Sequence, residues 1–324
     1  MRNIDVKNPF KSRGVSLIEL MVSITIGLAI LAAILAVYSS TTVTSKKSES
    51  TTRMSEDAAV ALNYVGNYIR MAGFSFPLAN VPPNTATVGA GSTELVDRNF
   101  GGAGIRGCDA GFSNPTVLNM ADLVCNAGSG SSSIVVRFQG DARNTNPVNA
   151  TTSPPYLGDP TDCLNQGVDV GLPANAKSTA SDFDGAQPYS LIESRFFVRV
   201  GPNSGTAELF CAGNGNAFTP AQPIMQYVEN VLFTYGVADD VSSKQVVQYL
   251  SASAVDLLPG TLDQRWSRVV SVKICLVIRS EALDPNGPSS YRDCTGGLVA
   301  SAGNFSRKAF QSVVALRNRG GLSS

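Results

Sequence analysis

Few residues in this sequence have the type and spacing to carry chemistry, and Glu19 is the first. It sits in SRGVSLIELMVSITIGL, residues 12–28, a lone carboxylate inside an apolar run that begins just after Gly14. Carrying an ionised side chain into a bilayer costs on the order of 2–3 kcal/mol even on the mild insertion scales, so an acid there needs a partner or a task. No Lys or Arg follows within the next turn or two. A cation that fits is an α-amino group, made by cutting the chain after Gly14 and presented by a neighbouring copy or sister subunit in a helical bundle. The plain alternative is an interfacial acid near a helix N-terminus, where the backbone dipole favours it.

The second set is six cysteines, Cys108, Cys125, Cys163, Cys211, Cys275 and Cys294, all beyond the apolar run. An even number on a translocated side points to disulfides in an oxidising compartment. Six cysteines allow fifteen connectivities, and pairing in sequence order is the simplest of them. With no CxxC spacing and no histidine anywhere in the chain, the sequence offers neither a structural zinc site nor a thiol oxidoreductase. The missing histidine also removes the usual base of a nucleophilic triad, so no catalytic residue, cofactor or metal is assigned.

Weaker motifs have plainer readings. Gly102-Ala-Gly104-Ile-Arg-Gly107 fits GxGxxG, but no βαβ unit surrounds it, and it reads as a flexible loop rather than a dinucleotide site. Asp182, Asp184 and the pair Asp239-Asp240 lack calcium-loop spacing and read as turn acids. The sequons at Asn149 and Asn304 carry little meaning in an exported protein of this kind. Arg307, Lys308, Arg317 and Arg319 are sparse and not interleaved with stacking aromatics, which gives no support to nucleic-acid binding. Overall charge asks for no acidic or basic partner, since 25 basic residues balance 25 acidic ones.

The elements that must position these residues follow from the hydropathy pattern. Residues 1–14 form a basic leader with Arg2, Lys7, Lys11 and Arg13 against Asp5, so that end stays cytoplasmic. Residues 15–38 are mostly apolar and carry no charge but Glu19, and as a helix they reach about 36 Å, enough to span a bilayer. A secretory signal peptide has a shorter apolar core with small residues after it. From 39 to 74 the chain is expected to continue as an amphipathic helix, with Met54, Ala58, Ala61, Leu62, Val65, Tyr68, Ile69 and Ala72 at helical spacing. Its polar start, STTVTSKKSESTTR, reads as helix or frayed linker, and Gly73 is expected as the C-cap. Residues 75–185 read as a loop-rich surface with one strand, Ser133 to Gly140. Residues 186–324 carry strand candidates at Leu191–Val200, Ala207–Cys211, Val228–Val237 and Val269–Ile278, which together predict one antiparallel sheet.

Basic leader, Gly14, an apolar residue, then Ser16-Leu17-Ile18-Glu19-Leu20 and an apolar helix resemble the signal of type IV prepilins and type II secretion pseudopilins. The resemblance implies cleavage between Gly14 and Val15 by a prepilin peptidase, N-methylation of Val15 (the family usually carries Phe there), and Glu19 as the carboxylate that guides subunits into a filament. YVENVLFTYGV (227–237), RVVSVKICLVIRS (268–280), FQSVVALRNR (310–319) and YIRMAGF (68–74) resemble blocks of the PilW-type minor pilins. That family implies an α+β fold, a long N-terminal transmembrane and amphipathic helix packed on an antiparallel β-sheet head. It also implies an inner-membrane subunit with its head in the periplasm. The subunit then joins the pilus with other minor and major pilins on an inner-membrane assembly platform, near the tip, with a tip adhesin as a further partner. Two rivals share parts of this pattern: a type II secretion pseudopilin, and a periplasmic enzyme or receptor with a single anchor.

Overall fold

The computed structural model describes residues 14–75, 103–128, 130–149, 158–169, 189–284 and 287–318. The basic leader and the acids Asp182 and Asp184 lie outside the described residues. The chain divides into two compact units after Thr51.

One helix, α1, runs Leu17–Met71. Its first part is exposed at every residue from Gly14 to Thr41, and this is the one helix among the described residues long and apolar enough to cross a membrane. The hydroxyl-rich stretch after it is helix, not a frayed linker. Its side chains bond back to the preceding turn, Thr41 Oγ1 donating to Val37 O at 2.8 Å, Thr44 Oγ1 to Ser40 O at 2.9 Å and Thr51 Oγ1 to Lys47 O at 2.9 Å. Hydroxyls that would otherwise compete for backbone groups are thereby used within the helix.

In the second unit, Met54, Ala58, Ala61, Val65, Gly66 and Ile69 of α1 are buried. Small residues at three of these positions let the helix axis come close to a sheet, and a Cβ on Gly66 would lie 3.4 Å from Val314 Cγ2. The helix ends where the sequence places its cap. Gly73 has φ 74°, a conformation that suits glycine, and its N–H donates to Arg137 O at 2.9 Å.

The strands are β1 (Ile105–Cys108), β2 (Ser133–Gly140), β3 (Ser190–Val200), β4 (Ala207–Gly213), β5 (Gln222–Gln226), β6 (Val228–Val237), β7 (Gln248–Leu250), β8 (Val269–Arg279), β9 (Ser290–Arg292), β10 (Leu298–Ala300) and β11 (Arg307–Ala315). Two short helices, α2 (Ala252–Asp256) and α3 (Leu262–Ser267), separate β7 from β8. The strands do not form the single sheet that the sequence predicts. They form a five-stranded sheet in the order β1-β2-β3-β4-β5, a four-stranded sheet in the order β11-β8-β6-β7, and the β9-β10 hairpin, with every pairing antiparallel. The chain changes sheets at Tyr227, whose φ of 61° breaks an otherwise continuous extended run between β5 and β6. The fold is thus α+β and pilin-like, a long N-terminal apolar helix packed against antiparallel sheets.

Both sheets contribute to one core with the helix, including Ile134, Phe138, Phe196 and Leu209 from the first and Phe233, Ile274, Leu276 and Val314 from the second. Tyr64 and Tyr68 close the first interface. Tyr68 stacks at a tilt on Phe138 and Phe196, with ring centres 6.2 and 5.5 Å away. Its hydroxyl donates to Asp162 O at 3.2 Å, and Tyr64 Oη donates to Cys163 O at 2.5 Å.

The GxGxxG run is not a flexible loop. Its described part enters β1, a buried edge strand that sequence reading missed. A side chain at Gly104 would collide with the Gly73 backbone, and one at Gly107 with the Tyr235 ring and hydroxyl. The glycines therefore serve packing and not phosphate contact. Tyr235 is fully buried beside Trp266, with ring centres 4.8 Å apart, and its hydroxyl has no hydrogen-bond partner among the described residues. Gly107→Ala should cost about 1–3 kcal/mol through overpacking. Tyr235→Phe, which removes an unpartnered buried hydroxyl, should leave stability unchanged or slightly raised and should shrink the cost of Gly107→Ala. Denaturant unfolding of the four proteins in the cycle, disulfides intact, measures this coupling, and strict additivity would contradict it.

Candidate functional site

At the N-terminal end the chain carries Gly14, Val15 and Ser16 ahead of α1, and the first helical bond runs from Leu20 N–H to Ser16 O at 3.1 Å. Glu19 lies in the first turn. The Ser16-x-x-Glu19 spacing has the form of a capping box, yet the Glu19 carboxylate takes no hydrogen bond and no ion pair among the described residues. Its own carbonyl accepts from Ser23 Oγ at 2.6 Å. No further ionisable group except Tyr38 follows until Lys46, about 40 Å along the helix at the standard rise. Around the acid stand Val15, Leu17, Ile18, Leu20 and Met21, all more than half exposed. The helix thus presents one carboxylate on an uncovered apolar cylinder, beside a glycine whose following peptide precedes the first turn.

In the head, two charge clusters that sequence reading missed hold the sheets. Glu193 on β3 receives Arg195 Nε at 2.8 Å and faces Arg137 Nε of β2 at 3.5 Å. All three side chains are almost fully buried. Arg195 also donates to Pro115 O at 2.6 Å and lies 3.5 Å from the centre of the Phe218 ring. Burial pushes the Arg195 guanidinium down and Glu193 pulls it back up, with a net lowering. The signal in the sequence was opposite charges two residues apart on one strand, which share a face.

The second cluster centres on Glu229 of β6. Arg307 of β11 binds it bidentately, Nε to Oε2 at 2.6 Å and Nη2 to Oε1 at 2.9 Å, and Arg279 of β8 approaches to 3.7 Å. One carboxylate therefore ties three strands. Arg307, one of the sparse basic residues near the C-terminal end of the sequence, is part of this cluster.

The cysteines form three disulfides in sequence order, Cys108–Cys125, Cys163–Cys211 and Cys275–Cys294, with Cα separations of 5.3, 6.4 and 5.7 Å. Each fastens an irregular segment to a strand: the loop after β1, the turn before Leu164, and the insertion between β8 and β11. Asp240 Oδ1 accepts from Ser242 N–H, Ser242 Oγ and Ser243 N–H, the bonding of a turn acid. No cluster of metal-binding side chains occurs among the described residues.

An uncovered apolar helix carrying one acid, joined to a disulfide-fastened antiparallel head, defines the class of pilin-like subunits. Residues 195–318 match the family model of the type IV pilus-assembly protein W, and residues 9–35 match the prokaryotic N-terminal methylation motif. The match places this part of the head with the PilW family of type IV pilus-assembly proteins, and the start of the chain carries the prepilin methylation motif. The first match starts at Arg195 in β3 and runs past the end of β11, and the helix-end block at 68–74 falls within neither range. No curated protein and no solved structure matches the chain.

The buried Arg137–Glu193–Arg195 group, of which only Arg195 falls in the matched region, gives a stability test of the head. Glu193→Gln leaves two buried guanidinium groups without their shared carboxylate and should destabilise the head by about 3–5 kcal/mol. The shift in denaturant midpoint, at constant m-value, measures it.

Proposed function

We propose that this chain is a minor pilin that primes assembly of a type IV pilus and stays at or near its tip. It enters the inner membrane with its head in the periplasm, and a prepilin peptidase cuts between Gly14 and Val15 and methylates Val15. The observation that carries the reading is Glu19, an acid without a partner in the first turn of an exposed apolar helix. Among the described residues of one chain no cation reaches it. The α-amino group of Val15 on a neighbouring subunit is the cation that cleavage creates at the right depth, and the apolar side chains around Glu19 would exclude water from that pair.

The family match supports the pilus over other single-anchor functions, and the size of the head supports a tip position, because such bulk is costly to repeat along a whole filament. Partners on this reading are other minor and major pilins, the prepilin peptidase, the inner-membrane assembly platform and a tip adhesin that contacts the loop-rich surface.

Intact-mass and N-terminal analysis of the protein from native membranes tests processing. The expected chain begins at methylated Val15, and a chain still beginning at Met1 in cells with active peptidase would overturn the reading. Glu19→Ala should leave the head's unfolding unchanged while weakening association with sister pilins by on the order of 2–5 kcal/mol, the usual cost of truncating one partner of a desolvated charge pair. Co-purification from membranes measures that loss.

A further inference from the structure

Among the described sheet edges, β11 is the one long strand with its outer backbone groups open. The bonds from Leu316 N–H to Val270 O at 2.9 Å and from Ser280 N–H to Ser306 O at 2.8 Å fix the alternation of the β8 ladder. They turn the N–H and C=O groups of Ala309, Gln311, Val313 and Ala315 away from β8, and no described strand pairs with β11 on that side. Gln311, Val313 and Ala315 are exposed.

Natural proteins blunt such edges with charge, proline, bulges or short strands. The other described edges follow that rule. β7 has three residues, β5 contains Pro223 and adjoins a register shift, β10 has three residues, and β1 is short and buried. Between Ala309 and Ala315, β11 has no charge, no proline and no bulge. Charges stand only at its ends, where Lys308 and Arg317 have no acidic partner among the described residues, while Arg307 is already neutralised by Glu229. The edge also lies on the helix side of the head, since Val314 packs on Gly66 and Asn318 Nδ2 donates to Arg70 O at 2.9 Å.

We propose that β11 takes up a β-strand from the head of a sister pilin subunit, extending the four-stranded sheet across the subunit boundary. Main-chain bonds would supply the affinity. A strand with an uncharged centre and Asp or Glu at its ends would match the row from Lys308 to Arg317. A second copy of this chain fits poorly. A symmetric antiparallel β11–β11 pair has its two-fold axis across the sheet and would reverse the packed α1 segment between the two heads, which subunits anchored by their N-termini in one membrane do not allow. The inference rests on the minor-pilin reading and goes beyond it by naming the surface and the chemistry of the contact.

The test uses the full-length chain in the cells that make it, with a benzoylphenylalanine photo-crosslinker at Gln311 and, separately, at Ile26 in the apolar helix. Gln311 should crosslink to one extended segment of one sister pilin, identified by mass spectrometry. Val313→Pro removes only an outward donor, so it should keep the head's melting curve while cutting that crosslink about tenfold or more, main-chain bonding being the source of affinity. Ala315→Pro serves as the second variant if Val313→Pro does not fold. Ser312→Pro, which breaks an inward bond, should destabilise the head itself. Crosslinks from Gln311 confined to the same chain, or sister crosslinks of unchanged yield in a folded Val313→Pro protein, overturn the edge contact while leaving the pilin reading intact if Ile26 still reaches sister pilins. If neither position reaches a pilin, the minor-pilin reading fails and the edge contact with it.

Discussion

Helix α1 serves two surroundings, and that constraint governs the rest of the chain. Its second part, from Thr52 onward, belongs to the same compact unit as the sheets, and the head's core is built on that part. The solution is a stripe of small residues, Ala58, Ala61 and Gly66, that brings the helix backbone down onto the sheets, with Met54, Val65 and Ile69 filling the remaining volume. Two tyrosines complete the seam, each burying an aromatic ring against the five-stranded sheet while its hydroxyl finds a carbonyl in the turn at 162–163. Buried tyrosines with satisfied hydroxyls give area and direction together. Burial is the main influence on both phenols and pushes them up, which keeps them neutral donors over the whole range in which such a protein works.

Beyond that seam the head is rich in turns and poor in regular connections, and it is held by devices that suit an oxidising compartment. The disulfides close segments of 17, 48 and 19 residues, and loops of that size contribute on the order of 3–4 kcal/mol each on the chain-entropy view. The two ion clusters work differently. Buried Glu193 costs desolvation that its neighbours must offset, so its value is in fixing which strands meet and in which register. Glu229, partly exposed, gathers Arg279 and Arg307 from two further strands, and rings at Tyr227 and Phe305 cover the Arg279 guanidinium at 4.8 and 4.1 Å.

Much of this was legible in the sequence where period and punctuation agree. The helix stripe from Met54 to Ala72, its glycine stop, the strand at Ser133–Gly140 and the long strands of the last third all follow from spacing alone. What stayed hidden was set by contacts far apart in the chain. IRGC has no strand composition, yet it is buried because Gly104 and Gly107 let Gly73 and Tyr235 come near. The division into separate sheets depends on one left-handed residue, Tyr227, which no propensity marks. Helix α3 does carry a signal in the sequence. Thr261 and Gln264 have capping-box spacing, and both reciprocal bonds are made. At the N-terminus, the type and position of Glu19 in the sequence are what the proposed role rests on, while the edge of β11 could not be read because openness belongs to the sheet order and not to the strand.

Seen together, the isolated subunit is unsatisfied at two kinds of place. Glu19 is a charge whose surroundings are apolar, and β11 is a row of backbone groups whose surroundings are water. They differ in how urgently they call for a partner. An unpaired carboxylate in hydrocarbon is costly enough to bias where the helix sits, whereas an open edge is solvated and costs little until something displaces the water. On the proposed function, this orders assembly: the helix is driven to seek a bundle first, and the head edge then discriminates among the subunits brought beside it. Backbone pairing is tolerant of sequence, so the choice must come from length and from the charges at Lys308 and Arg317. A one-residue slip in that pairing exchanges the faces of every side chain, so the partner strand's length and end charges must also fix the register.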